Sequence, residues 1–364
     1  MSDKNGVTPP MFTPFTLRGM TLINRVVMSP MCMYSAENGT ATDFHLVHLG
    51  SRAMGGAGLI FTEMTDVEPA GRISPGCAGM YKPDHVPAWK RVTDFVHRTT
   101  EAKIGVQLGH AGRKAANPVP WETESDKNRW EIYAPSPIAF SDAGPVPTEM
   151  NRVHMDRVRD AFANAARMAD EADFDIIELH CGHGYLLSTF ISPLTNQRND
   201  DYGGSLENRM RFPLEVFQAV RNEFPGNKPI SARISAFDWV DGGTTEKDAV
   251  EIGRMFKDAG LDILDVSTGN VVAGARPTAT GLFQTPFSET IRRETGIPTM
   301  TVGNIRGPAE INDIIADGRA DLCVVGKGHL YDPYFARHAA HALDVDGPDA
   351  PRQYERATGY TPSF

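Results

Sequence analysis

The sequence predicts an α/β protein built as a (β/α)8 TIM barrel. Eight short runs of apolar and β-branched residues recur along the chain, and segments with helical spacing lie between most of them. Most of these runs are continuous rather than alternating, as is typical of strands that are covered on both faces. A doubly wound open sheet would need GxGxxG after its first strand, and none occurs there. Eight strand–helix units without an internal repeat therefore favour a closed barrel.

The predicted strands follow one another from the N-terminus to the C-terminus. They are residues 25–31, 59–67, 104–112, 175–180, 230–238, 263–271, 299–305 and 322–330. Between the fourth and fifth strands, apolar residues recur every three or four positions from Leu214 to Phe224, and Ser205 is the predicted N-cap. Pro213 should kink this helix, and Pro308 suits the first turn of the helix after the seventh strand.

Composition and charge set the class of protein. The chain has 364 residues, 41% of them hydrophobic and 23% charged, which is ordinary for a soluble globular protein. A net charge of −10 disfavours binding to nucleic acid. No secretory leader and no run of ~18 apolar residues occurs, so we expect a cytoplasmic protein without a membrane segment. We expect one domain over 1–364, with an N-terminal capping segment of about 1–24 and a C-terminal tail of about 345–364.

The barrel hypothesis indicates where chemistry should lie. In this fold the active site is built from the loops that follow the C-terminal ends of the strands. The predicted exits are residues 30–34, 63–66, 107–113, 180–185, 233–238, 268–270, 303–307 and 326–328. Side chains from these eight stretches should meet at one mouth.

The exit HCGHGY, residues 180–185, first suggests a metal site. A zinc site needs about four ligands, and the other exits do not supply a matching set. Side chains alternate in an extended segment, so Cys181 should point away from His180 and lie in the core. The four cysteines of the chain form no CxxC pair, which argues against a zinc ribbon or an iron–sulfur cluster. We expect no metal, with a zinc-dependent hydrolase as the alternative that metal analysis would separate.

The last two exits are typical of a phosphate site. VGNIRGPAE and VVGKGHL each follow a strand with glycine, which lets backbone N–H groups approach an anion. Gly303, Gly307, Gly326 and Lys327 are the candidates, although glycines that only make tight turns would leave the same pattern.

The mouth also holds neutral hydrogen-bonding groups but no candidate nucleophile. They are Cys32, Tyr34, Gln107, His180, His183 and Tyr185. Two histidines and a tyrosine can polarise a carbonyl oxygen and deliver a proton. No Ser-His-Asp grouping or Schiff-base lysine is present, so a cofactor should carry the chemistry. A phosphate site with Arg233 and Gln107 in one mouth suits FMN.

Five motifs resemble the old yellow enzyme family of FMN-dependent ene reductases, over nearly the whole chain. The first predicted strand carries Pro-Met-Cys-x-Tyr at 30–34, as in one bacterial class of that family. The others are QLGHAGRK (107–114), APSPIAF (134–140), ELHCGHGYLL (178–187) and SPLTNQRNDDYGGSLENRMRF (192–212). The last of these is long and highly specific.

The resemblance implies a set of cofactor positions. They are Pro30, Met31, Cys32, Met64, Gln107, Arg233, Gly303, Asn304, Gly326 and Lys327. Cys32 would tune the redox potential of the flavin, Gln107 would bind the pyrimidine part of its ring, and Arg233 would stabilise negative charge at N1. Relatives usually carry arginine where Lys327 stands, and lysine lacks the bidentate fork of arginine.

The resemblance also implies a reaction. NADPH or NADH would reduce FMN, and the reduced flavin would pass a hydride from N5 to the β-carbon of an α,β-unsaturated carbonyl compound. His180 and His183 would bind the carbonyl oxygen, Tyr185 would donate the proton, and Tyr34 would be a second substrate contact. The segment QYERATGY near the C-terminus is similar to a tail that places an arginine, here Arg356, in a neighbouring subunit. That implies a homodimer or homotetramer, whereas a solvated tail is the alternative.

Two further features bear on the substrate. The chain is similar to the reductase-like halves of aryl-CoA monooxygenase/reductases. Those enzymes carry a hydroxylase domain in front of the barrel, and we expect no room for such a domain here. A dearomatised or CoA-linked ring made by another enzyme is therefore a second candidate substrate. A third hypothesis is that the protein binds flavin as a redox protein but has no ene-reductase turnover. In the long loop 117–132, Trp121 and Trp130 either line a substrate lid or pack on their own scaffold.

Overall fold

A computed structural model describes residues 8–122, 130–275, 277, 280–357 and 360. The described strands are β1 (Phe15–Leu17), β2 (Met20–Leu22), β3 (Val26–Met28), β4 (Leu59–Asp66), β5 (Lys103–Gly109), β6 (Tyr133–Ala134), β7 (Thr148–Glu149), β8 (Ile176–Cys181), β9 (Ile230–Ser235), β10 (Ile263–Ser267), β11 (Thr299–Val302) and β12 (Leu322–Val325). Eight of them close into a parallel barrel in the order β3-β4-β5-β8-β9-β10-β11-β12, and β12 pairs with β3 through Val324 and Val27. The predicted fold class is confirmed, and every predicted strand overlaps one barrel strand.

Helices cover the outside of the barrel. They are α1 (Asp43–Met54), α2 (His85–Thr99), α3 (Arg152–Glu171), α4 (Leu186–Ile191), α5 (Leu206–Glu223), α6 (Glu246–Ala259), α7 (Thr285–Thr295), α8 (Pro308–Ala316), α9 (Lys327–Tyr331) and α10 (Phe335–Ala342). Ser205 caps α5 as predicted, since its side chain accepts a hydrogen bond from the backbone N–H of Asn208. The α5 helix continues through Pro213, and Pro308 occupies the first turn of α8.

A short hairpin closes the N-terminal end of the barrel. Strands β1 and β2 pair antiparallel, and their inward side chains Leu17, Met20 and Leu22 are buried. They belong to one apolar cluster with the first residues of several barrel strands, among them Leu59 and Ile176. The other end of the barrel is therefore the end that stays open for a ligand.

Cys181 is buried in the main apolar cluster between barrel and helices, as a small core residue. The pairing of β4 with β5 shifts register between Phe61 and Met64, which is a bulge where β4 approaches the open end. Within the part of the chain that the structure describes, no helix is long and apolar enough to cross a bilayer.

Candidate functional site

A cavity of about 360 Å³ lies at the C-terminal ends of the barrel strands. Its walls are formed by Pro30, Met31, Cys32, Tyr34, Met64, Gln107, His180, His183, Tyr185 and Arg233. All ten were candidate site residues from the sequence, and they come from β3, β4, β5, β8 and β9 or the loops that follow them. A larger groove of about 800 Å³ lies beside α10, but it contains neither the histidine pair nor Tyr185. Chemistry, rather than size, selects the smaller cavity.

The two histidines form a perpendicular pair in this cavity. Their ring centroids are 5.1 Å apart, and His180 Nε2 lies 3.4 Å from His183 Nδ1. His180 Nδ1 accepts a hydrogen bond from the Gly182 N–H at 3.3 Å, and His183 Nε2 lies 2.7 Å from Ser267 Oγ. His183 adopts a left-handed backbone with φ +58°, which turns its ring back toward His180. Both rings line the cavity as a pair.

Burial sets the protonation of the pair. Desolvation, followed by the positive charge of Arg233, lowers the pKa of both imidazoles well below the ordinary histidine value. Both rings are therefore neutral at neutral pH, and each has one N–H donor and one lone pair. Among the described residues, no group of three His, Cys, Asp or Glu side chains could hold a metal ion.

Tyr185 and Cys32 are neutral as well, because the phenol and the thiol both keep their protons. The Tyr185 ring centroid is 5.0 Å from that of His180. Burial raises the pKa of the Tyr185 phenol well above its usual value, and burial does the same for the Cys32 thiol. Tyr185 is thus suited to donate a proton, whereas Cys32 is not a thiolate nucleophile.

Polar groups of the barrel interior support the inner wall. Gln107 Nε2 donates to Glu178 Oε1 at 2.9 Å, and Ser231 Oγ donates to Glu178 Oε2 at 3.0 Å. Burial, and then the nearby Asp265, raise the pKa of Glu178 to about 8. The amide of Gln107 is therefore anchored through its nitrogen.

Arg233 is the cation of the cavity wall. It donates from Nη1 to Ser29 Oγ at 3.2 Å, and its Nε lies 3.2 Å from Asp265 Oδ2. This contact is ionic rather than a hydrogen bond, because Nε and both Asp265 oxygens lack a partner of good geometry within the described residues. A buried guanidinium with an unmet donor beside an amide fits the polar edge of a flavin ring.

The predicted phosphate positions lie together at the ends of the neighbouring strands β11 and β12. Gly303 has φ +112°, and a Cβ there would come within 2.4 Å of Gln284 Nε2, so the position requires glycine. Gly326 lies beside Met31 and Ser29, since a Cβ on it would be 3.8 Å from each. Lys327 is exposed next to it. This cradle adjoins the cavity at Met31, and its open backbone and the lysine charge fit a phosphate group.

The sequence alone missed several residues that hold the site together. Lys114 lies in the motif 107–114, and its Nζ donates to the backbone oxygens of His183 at 2.6 Å and Asn270 at 2.7 Å. Ser267 and Gln284 were also missed, and they continue the hydrogen bonds of His183. The available signal was position, because Ser267 lies directly before the predicted strand exit 268–270.

The two tryptophans of loop 117–132 differ in their surroundings, and residues 123–129 lie outside the described part. Trp130 is a scaffold residue, since its Nε1 donates to Ala70 O at 2.9 Å and Arg72 lies over its ring. Trp121 is 67% exposed and meets the Tyr34 ring edge-on at 5.9 Å. Only Trp121 therefore stands at the cavity mouth.

Arg356 does not line the cavity of its own chain. It is exposed in a short 3-10 helix, Arg352–Ala357. Residues 358–359 and 361–364 of the predicted tail lie outside the described part.

Comparison with known proteins shows the family of the chain. Residues 10–346 match the profile of the NADH:flavin oxidoreductase / NADH oxidase family. The chain is 44% identical over 348 residues to the NADPH dehydrogenase of Geobacillus thermodenitrificans (strain NG80-2), covering 95% of this chain and 98% of the relative. It is 43% identical over 349 residues to the NADPH dehydrogenase of Listeria monocytogenes serotype 4b (strain CLIP80459), with the same coverage.

Solved structures share the fold. Morphinone reductase superposes with a TM-score of 0.78 at 25% identity, covering 95% of this chain and 92% of that one. A 2-naphthoyl-CoA reductase complex gives a TM-score of 0.83 at 23% identity over 92% of this chain. This chain spans only 52% of that longer reductase chain, and the likeness concerns the fold.

Proposed function

The chain belongs to the NADH:flavin oxidoreductase / NADH oxidase family as an NAD(P)H-dependent flavin oxidoreductase of the old yellow enzyme type with FMN as cofactor, and from this premise we propose that it reduces the C=C bond of α,β-unsaturated carbonyl compounds. One observation carries the proposal. Two neutral imidazoles and a protonated tyrosine converge in a single cavity beside the groups that fit a flavin.

We propose that the inner wall and the cradle hold the cofactor. Gln107 and Arg233 would bind the polar edge of the ring, with Pro30, Met31, Cys32 and Met64 against it. Gly303, Asn304, Gly326 and Lys327 would bind the phosphate. When bound and reduced by NADPH or NADH, FMN supplies the hydride.

The histidine pair would bind the substrate oxygen. An N–H group directed at a carbonyl oxygen binds more strongly as negative charge develops on that oxygen. Neutral rings suit this role because they add donors without placing a full positive charge in a desolvated cavity. His180 and His183 would thus stabilise the enolate-like charge of the transition state, with Tyr34 as a further substrate contact.

Tyr185 would complete the reaction by giving its phenolic proton to the α-carbon. Its raised pKa keeps that proton in place at neutral pH, and its ring packs against His180 beside the bound oxygen. The C=C bond thus gains one hydride and one proton.

We also propose that the protein is a homodimer or homotetramer in which Arg356 reaches the cavity of a neighbouring subunit. The exposed position of Arg356, outside its own cavity, supports this arrangement.

The double variant His180→Ala/His183→Ala tests the proposed function. We expect kcat/KM for cyclohexenone to fall by about 10²-fold or more, because the donors to the developing oxyanion are lost. FMN content, measured by visible absorbance, should stay unchanged. His97→Ala is the matched control, since His97 pairs with Asp175 away from the cavity. Turnover of cyclohexenone at the wild-type rate by the double variant would contradict the proposal.

A further inference from the structure

The histidine pair belongs to a hydrogen-bond chain that has one direction. The chain starts at the backbone N–H of Gly182, which can only donate, and which is bound by His180 Nδ1 at 3.3 Å. Neutral His180 must therefore carry its proton on Nε2. That N–H points at His183 Nδ1 at 3.4 Å, so Nδ1 is the acceptor.

The far end of the chain fixes the same direction. Gln284 Nε2 donates to the backbone oxygen of Val302 at 3.2 Å, which leaves Gln284 Oε1 directed at Ser267. Ser267 Oγ donates to Oε1 at 3.1 Å and therefore accepts the Nε2–H of His183 at 2.7 Å. Without a ligand, the lone pair of His183 Nδ1 accepts the N–H of His180, so the pair can offer an incoming oxygen one N–H rather than two.

This order does not suit a carbonyl oxygen, which can only accept hydrogen bonds. To offer a second N–H, His183 must carry its proton on Nδ1, and Ser267 must turn its hydroxyl to donate to Nε2. Gln284 Oε1 would then lose Ser267 as a donor. It would still keep a hydrogen bond from Thr268 Oγ1, which lies 3.0 Å away. Because Ser267, Thr268 and Gln284 are all buried, water cannot replace a lost partner.

We propose that Ser267 sets the tautomer of His183 and that Thr268 makes the second setting, with the proton on Nδ1, accessible. In one setting the pair has one donor and one acceptor and suits a hydroxyl group; in the other it has two donors and suits a carbonyl. One proton leaves Nε2 and one is taken up at Nδ1 from water, so the net charge is unchanged. Ser267 and Thr268 are positioning residues, because they act through His183. The inference rests on the proposed function in that the pair receives the substrate oxygen.

NMR of the oxidised holoenzyme with ¹⁵N-labelled histidine reports the tautomer directly. Cyclohexanone and cyclohexanol are the probes, because they differ only in whether the oxygen can donate. We expect His183 to carry its proton on Nε2 without ligand and with cyclohexanol, and on Nδ1 with cyclohexanone. His183→Ala assigns the signals. Bound cyclohexanone with the proton still on Nε2 would overturn the inference alone.

Thr268→Val tests the accessibility of the second setting. The switch would now leave Gln284 Oε1 buried without a donor, so the Kd of cyclohexanone should rise about 5- to 30-fold, which corresponds to about 1–2 kcal/mol. The Kd of cyclohexanol should change less than about twofold. Thr301→Val is the matched control, because the Thr301 hydroxyl donates to Thr285 at 3.2 Å and is not part of the hydrogen-bond chain from Gly182 to Gln284.

Other results of the same titrations would count against the inference. Equal weakening of both probes by Thr268→Val would indicate a structural role, and unchanged binding of both would remove Thr268 from the switch. FMN absorbance excludes loss of cofactor as the cause. If neither probe binds the wild-type protein, the proposed function fails and this inference fails with it.

Discussion

At the scale of single residues, the proposed reaction divides the cavity into groups that would bind the substrate and one group that would react with it. His180 and His183 are desolvated and neutral, which suits donation to an oxygen, and Tyr185 keeps the proton that the proposed reaction would consume. Glu178 and Asp265 lie behind this wall, where Glu178 accepts from Gln107 and Asp265 pairs with Arg233. We therefore expect changes in His180, His183 or Tyr185 to affect the reaction rate, and changes in Glu178 or Asp265 to affect FMN binding.

Tyr185→Phe should separate the two half-reactions. The variant keeps the ring that packs on His180 but loses the proton, so reoxidation of the reduced protein by cyclohexenone should slow by about 10²–10⁴-fold. Reduction by NADPH should continue at the wild-type rate. Stopped-flow absorbance measures both rates, and Tyr81→Phe is the control because Tyr81 packs on His85 outside the cavity. Unchanged reoxidation would mean that another group gives the proton.

The sequence predicted the cavity walls better than their supports. Tyr185 could be named because it follows a barrel strand and lies in the family motif at 178–187, and Arg233 because it lies at a predicted strand exit, 233–238. Lys114, Ser267 and Gln284 act through contacts that join loops distant in the chain; the bond from Lys114 to Asn270 spans 156 residues. Spacing along a sequence carries no signal for such contacts, so only coordinates reveal them.

At the scale of elements, the predicted strands are longer than the observed ones. The run 263–271 contains β10, which ends at Ser267, and the run 25–31 contains β3, which ends at Met28. Among the extra residues, the apolar Met31 lines the cavity and the apolar Val271 is buried, although neither belongs to a strand. Apolar content therefore locates a strand but does not show where its pairing ends. The three-residue strands β1 and β2 were not predicted, because they are too short for a periodic signal.

Lys114 joins three of the loops that follow strands. Its ammonium binds two carbonyls, and it lies 4.2 Å from the Phe140 ring centroid. Lys114→Met removes both hydrogen bonds, so we expect a loss of about 1–3 kcal/mol in the free energy of unfolding. Hydrogen exchange should also become faster in residues 182–185 and 269–271. Lys103→Met is the control, because Lys103 pairs loosely with Asp175 at 3.7 Å near the opposite end of the barrel.

The loss caused by Lys114→Met should depend on pH. Burial, with a further contribution from Arg113, lowers the pKa of Lys114 from 10.5 to about 7 in the folded protein. Between these values the unfolded chain binds more protons at this site, so the wild-type free energy of unfolding gains with rising pH relative to the variant. Urea denaturation near pH 7 and about pH 9 should give a larger difference at the higher pH. An equal difference at both would contradict the lowered pKa.

At the scale of the whole molecule, the two ends of the barrel have different roles. The C-terminal end leaves strand exits open around a cavity, whereas the N-terminal end is filled by the β1–β2 hairpin. Chemistry and stability are therefore separated along one axis, and changes at the closed end should reach the open end only through the barrel walls.

Leu22→Ala tests this separation. Leu22 is fully buried in the cluster that closes the barrel, so truncation leaves a cavity and should lower the free energy of unfolding by about 2–5 kcal/mol in urea denaturation. FMN content and the rate of cyclohexenone reduction should stay at wild-type values below the unfolding transition, because among the described residues the cavity wall and the hairpin cluster have no member in common. Thr21→Ala in the same strand is the control, since Thr21 is exposed and bonds only Thr16 through its hydroxyl. A Leu22→Ala protein that folds stably but loses FMN would show that the closed end shapes the site, and the division of the barrel into a stabilising end and a reactive end would have to be abandoned.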